Sequence, residues 1–173
     1  MKRSLLPAFL LIFGANAMAQ QSDRSNWDDW RPLLGKWTAE GGGQPGQASS
    51  GGFSFDFDLQ SKVLIRRNYS EYPATAGKTA SRHDDLMVIF QEPGRGTRAV
   101  YFDNEGHVIH YSASLSEDRK TITFLSETIP AAPRFRLIYT LLKDGSLDVE
   151  FDIAPPGKPD SFSKYVEGKA LRK

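Results

Sequence analysis

Residues 53–59 read Phe-Ser-Phe-Asp-Phe-Asp-Leu, and residues 147–153 read Leu-Asp-Val-Glu-Phe-Asp-Ile. A segment that is apolar at every second position and polar or acidic between has one regular solution. In an extended strand successive side chains point to opposite faces, so the rings and branched chains share one side and the carboxylates the other. On a helix the same residues would scatter charge around the whole circumference. These two segments commit the chain to sheet structure with one dry face and one wet face.

The rest of the chain divides into further strands by its turn signals. After Gly35-Lys36-Trp37-Thr38 comes a Gly-, Ser- and Gln-rich loop over Gly41–Gly52, then the first alternating segment. A strand over 62–72 ends at Tyr72-Pro73, residues 74–82 read as a polar loop, and Leu86–Gln91 reads as a short apolar strand closed by Pro93-Gly94. Strands over 98–102, 107–115, 121–126, 134–142, 147–153 and 162–171 follow. Asp103-Asn104-Glu105-Gly106 and Lys143-Asp144-Gly145-Ser146 carry hairpin-turn chemistry. The expectation is all-β: a single antiparallel up-and-down barrel of about ten strands, entered by a short helical turn near Asp28–Leu34. A two-sheet sandwich is the rival, but it brings Greek-key crossovers and longer connections. Short connections favour closure, which also removes exposed strand edges.

The first residues bear on compartment. Met1-Lys2-Arg3 precedes an apolar run from Leu5 to Phe13, and Ala17-Met18-Ala19 has the small-x-small pattern of a signal-peptidase site. Residues 1–19 are expected to be a signal peptide, 20–26 a disordered polar tail, and 27–173 the barrel domain. The apolar run is shorter than the roughly 20 residues of a spanning helix. The expected location is periplasmic or secreted, with no stable membrane insertion after cleavage. The chain has no Cys, which excludes zinc-thiolate, iron–sulfur and thiol-nucleophile chemistry, and a net charge of +1 with interleaved signs argues against a nucleic-acid partner.

Leu33-Leu34-Gly35-Lys36-Trp37 resembles the opening of calycin-superfamily barrels, which include the lipocalins and fatty-acid-binding proteins. In that superfamily a helical turn leads into a strand carrying Gly-x-Trp, the Trp packs across the closed barrel end, and a basic residue near the chain's end lies over the indole. The resemblance implies that role for Gly35, Trp37 and Arg172. Within the superfamily the chain is most similar to uncharacterised bacterial lipocalin-like proteins. Nitrobindin-like barrels hold haem through a His late in the chain. The histidines here are His83, His107 and His110, none on the last strands, so no cofactor is expected. Fatty-acid-binding proteins carry a two-helix lid between the first two strands, where this chain has its Gly-rich loop.

Polar residues that share a face with apolar ones are the candidates for ligand contact. Val63, Ile65, Arg67 and Tyr69 lie on one face of their strand, and an inward Arg67 would need an anionic partner. The opposite register, with Leu64, Arg66 and Asn68 inside, is equally open. Tyr139 shares the face of Phe135, Leu137 and Leu141, with Arg136 on the other. Tyr111 shares the face of Ile109, which places His107 at the rim, and Tyr101 is a further candidate. The ligand-binding set is thus Arg67, Tyr69, Tyr101, His107, Tyr111, Arg136 and Tyr139. His83-Asp84-Asp85 and Asp103–His107 could suggest a metal site, yet they read as a solvated loop and turn, so no metal is expected. No Gly-x-Ser-x-Gly elbow exists.

The expected function is binding of a small hydrophobic or amphipathic molecule, largely apolar with a polar or anionic head met by Arg67 or Arg136. Two alternatives stand beside it: an isomerase, cyclase or hydrolase using the same cavity, and a filled barrel acting as a structural envelope protein.

Overall fold

The computed structural model describes residues 27–40 and 50–173. The expected signal peptide, the polar tail and most of the Gly41–Gly52 loop lie outside the described residues. A 3-10 helical turn, Asp28–Leu33, leads into β1 (Gly35–Glu40), β2 (Ser50–Asp58), β3 (Val63–Tyr72), β4 (Ser81–Glu92) and β5 (Gly96–Asp103). Then come β6 (Val108–Leu115), β7 (Thr121–Ser126), β8 (Arg134–Leu141), β9 (Leu147–Ala154) and β10 (Ser163–Arg172). Each strand pairs antiparallel with its sequence neighbours, and β1 pairs with β10 to close a ten-stranded barrel. Closure leaves no free sheet edge, so every strand satisfies its backbone groups on both sides.

Two strand starts differ from the reading of the sequence by three residues or more. β2 begins at Ser50, so Gly51 and Gly52 belong to a strand and not to the loop. The reason is crowding: a Cβ on Gly52 would lie 2.6 Å from the Trp37 carbonyl oxygen of β1, so only glycine lets the two strands approach there. β4 begins at Ser81, five residues before the expected Leu86, and takes in His83, Asp84 and Asp85.

One half of the barrel is packed solid. Trp27 and Trp30 both turn inward from the helical turn, edge-on to one another, with Trp27 meeting Phe57 and Trp30 meeting Phe124 at ring separations of 6.0 and 5.8 Å. Asp28 does not cap the turn; its carboxylate accepts a bond from Arg31 Nε instead. Trp37 stacks on Phe53 and donates its indole N–H to the Leu33 carbonyl at 2.7 Å. The Arg172 guanidinium lies 4.4 Å from the centre of the Trp37 ring and donates to the carbonyls of Leu34 and Pro32. Gly35 has a positive φ of 104°, a backbone conformation that favours glycine. Above this plug sit Phe55, Leu64, Met87, Ile89, Phe124, Tyr139 and Leu147, all fully buried.

Candidate functional site

Above that layer the interior opens into a cavity of about 1060 Å³. Its two sides differ in chemistry. β6, β8 and β9 supply Ile109, Phe135, Leu137, Val149, Phe151 and Ile153, with Phe135 and Phe151 stacked at 5.9 Å. β3, β4 and β5 supply Arg66, Asn68, His83, Asp85, Tyr101 and Asp103. The division follows from the alternation of each strand. In β4 the inward positions are His83, Asp85, Met87 and Ile89, so one face changes from apolar to polar on leaving the packed half. In β3 they are Leu64, Arg66 and Asn68.

The polar wall is one connected network. Arg66 Nη1 donates to Asp85 Oδ1 in a buried ion pair, and Asn68 Nδ2 donates to Asp85 Oδ2 at 2.7 Å. His83 Nε2 lies 3.6 Å from Asp85 Oδ2 and 3.1 Å from the Tyr101 hydroxyl, and His83 Nδ1 lies 3.2 Å from Glu105 Oε1. The Tyr101 hydroxyl donates to Asp103 Oδ2 at 3.2 Å, and that oxygen also faces His107 Nδ1 at 2.8 Å. Asp85 and Asp103 are direct cross-strand partners. Two carboxylates so placed repel one another, and the cations and the phenol around them offset that repulsion.

The ionisation states follow. Contact with Asp85, and then Glu105, outweighs burial and raises His83 to about 9, so the imidazolium is the neutral-pH form. Burial alone would raise Asp85, but Arg66, with His83 and Asn68, holds it below its usual value. Burial would likewise lower Arg66, but Asp85 together with the Tyr139 and Tyr101 phenols outweighs it, so the guanidinium stays charged. Burial, reinforced by Asp85 and Asp103, pushes the Tyr101 phenol far up, and burial does the same to Tyr111. Both remain neutral hydroxyls. Among the described residues no group of three or more His, Asp or Glu side chains is arranged to hold a metal ion.

The residues singled out from the sequence separate into three sets. Tyr101, His107 and Tyr111 line the cavity, with His107 exposed at the rim. Tyr69 borders it, but its ring lies 4.5 Å beneath the Arg82 guanidinium and packs against Gly52. Three expectations need correction. Arg67 is exposed on the outer surface, because β3 adopts the register that turns Arg66 inward. Arg136 is also outside the cavity: its Nε donates to Asp152 at 2.7 Å and its guanidinium covers Phe162 at 4.5 Å. Tyr139 does not reach the lumen. It lies in the packed layer, its hydroxyl near Arg66 but without hydrogen-bond geometry, and burial pushes its phenol up to about 12.

Arg66, Asn68, His83, Asp85 and Asp103 were missed as a group. The readable signal was a spacing match: Arg66-x-Asn68 and His83-x-Asp85 each place two polar side chains on one face of adjacent strands.

The fold resembles that of a solved structure. The crystal structure of Rv2717c from M. tuberculosis superposes with a TM-score of 0.56 over 86% of this chain and 97% of that one, at 14% sequence identity. At that identity the likeness is one of fold. No protein family and no curated protein matches the sequence.

Proposed function

We propose that this chain is an exported, calycin-like barrel that binds a largely apolar small molecule by burying its body against the β6–β9 wall and its polar head against the β3–β5 wall. The observation that carries the reading is the two-sided chemistry of a cavity whose volume lies at the top of the roughly 300–1,000 Å³ range of small-molecule sites. A barrel serving only as structure has no use for such a space, since small barrels readily fill themselves with side chains. The calycin assignment rests on Gly35, Trp37 and Arg172 stacking at the plugged end. Export rests on the signal-like pattern of residues 1–19.

Native mass spectrometry of the protein as purified, with thermal shifts against a panel of alkyl and aromatic compounds, tests this. A Val149→Trp variant should fill the apolar side and abolish the shifts while leaving the far-UV circular dichroism intact. If Val149→Trp binds the same compounds equally well, the ligand is not in the barrel.

A second reading, proton-transfer catalysis, has an observation in its favour: His83, Asp85 and Tyr101 converge within about hydrogen-bond reach. The protonation states weigh against it. His83 is already protonated at neutral pH, and the carboxylates are held below their usual values. None of these three groups is poised near neutral pH as a general base must be.

A further inference from the structure

Among the described residues, each charged side chain that lines the cavity has a hydrogen-bonding partner or a partner of opposite sign. Arg66 pairs with Asp85. His83 sits between Asp85 and Glu105. Asp103 accepts from Tyr101 and meets His107. The charged side chains at the outer margin are paired too, Glu127 with Arg98, Glu167 with Lys164 and Lys169 with Asp144. The two arginines that could have offered the lumen an unneutralised cation, Arg67 and Arg136, are outside it.

An ion brought into such a cavity loses its hydration and, among the described residues, finds no unpartnered counter-charge. A carboxylate placed near Arg66 also meets Asp85, whose own oxygens are committed to Arg66 and Asn68, and Asp103 opposite it. An ammonium placed near Asp85 meets Arg66 and His83. A head without net charge suffers neither penalty. The half-buried Asn68 amide, the Tyr101 and Tyr111 hydroxyls and the His83 imidazolium supply neutral or locally balanced hydrogen-bonding groups along the wall. We infer that the site, on the binding reading above, selects an apolar molecule with an uncharged hydrogen-bonding head, such as an alcohol, ester, amide or ketone, and discriminates against the matched carboxylate and the matched amine.

The experiment uses three ligands with one chain length, 1-dodecanol, dodecanoate and dodecylammonium, competing against the neutral dye N-phenyl-1-naphthylamine at pH 7. The alcohol should compete about tenfold or more better than either ion, a difference set by the unpaired charge. A carboxylate or amine that competes as well as the alcohol overturns the inference. If neither the dye nor any C12 compound binds, the binding reading fails, and this inference with it; if the dye binds and dodecanol displaces it no better than the two ions, only this inference fails. Variants then test the cause. Asp85→Asn frees Arg66 and should move the preference toward dodecanoate by about tenfold relative to dodecanol. Arg66→Met removes one of the two cations beside Asp85 and should move it toward dodecylammonium instead. Unchanged ratios in both variants, measured on protein that retains its far-UV spectrum, show that the pairing does not set selectivity.

Discussion

Removing the charge of Asp85 while keeping its shape tests the energetics of the polar wall directly. In Asp85→Asn the side chain still offers an oxygen to Arg66 Nη1, but Arg66 is left as a buried cation without its counter-ion. Breaking one partner of a buried pair costs about 3–5 kcal/mol. The lower end applies here, because the Phe53 and Tyr139 rings, each 5.8 Å from the guanidinium, continue to stabilise it and because the Asn oxygen still accepts. About 3 kcal/mol should therefore be lost, equivalent to roughly 6–12 °C in Tm for a domain of this size. Arg66→Met should cost less, about 2 kcal/mol, since the surviving carboxylate keeps Asn68 and the His83 imidazolium. The asymmetry is the decisive quantity. Urea unfolding followed by tryptophan fluorescence at pH 7 gives both values, and an NMR titration of His83 gives a second readout, with its pKa falling from about 9 toward its ordinary value in Asp85→Asn. A loss below about 1 kcal/mol, or a larger loss in Arg66→Met than in Asp85→Asn, would refute the view that Asp85 is the charge on which this wall is organised.

Other perturbations follow from the same geometry. Trp37→Ala should cost about 3–5 kcal/mol as a large truncation in the plugged end, and Arg172→Ala about 2 kcal/mol through the lost ring contact and two carbonyl bonds, both read from urea midpoints. His83 is raised in the folded state, so the stability it contributes is fully present below about pH 6.5 and is lost as pH rises through about 9; the urea midpoint should decline across that window and stay level across it in Asp85→Asn. Asp85 and Asp103 are held low, so their contribution is present above the ordinary carboxylate range and is lost only as pH falls through their depressed folded values. A midpoint that rises between pH 6.5 and 9 contradicts the assignment of His83 as a cation.

The alternating segments transferred directly into structure. Phe53 and Phe55 point into the packed half, and Leu147, Val149, Phe151 and Ile153 run from that half into the apolar wall, as period two requires. The start of β4 was not legible. Ser81 to Asp85 are polar at inward and outward positions alike, so the segment carries no alternation and reads as loop. It is a strand because β3 and β5 flank it and pair with it, and a backbone with partners on both sides needs no apolar rhythm of its own.

Sequence alone determined that this chain forms β-sheet, about how many strands it has, and that its turns are short enough for an up-and-down order, because alternation and turn chemistry act between near neighbours. Which of Arg66 and Arg67 faces inward was undecidable locally, since either register of 63–69 places both apolar and polar residues on each face. Tertiary structure decided it through Asp85. A buried guanidinium is tolerable only beside a carboxylate, and that carboxylate comes from a different strand, aligned by pairing across the sheet.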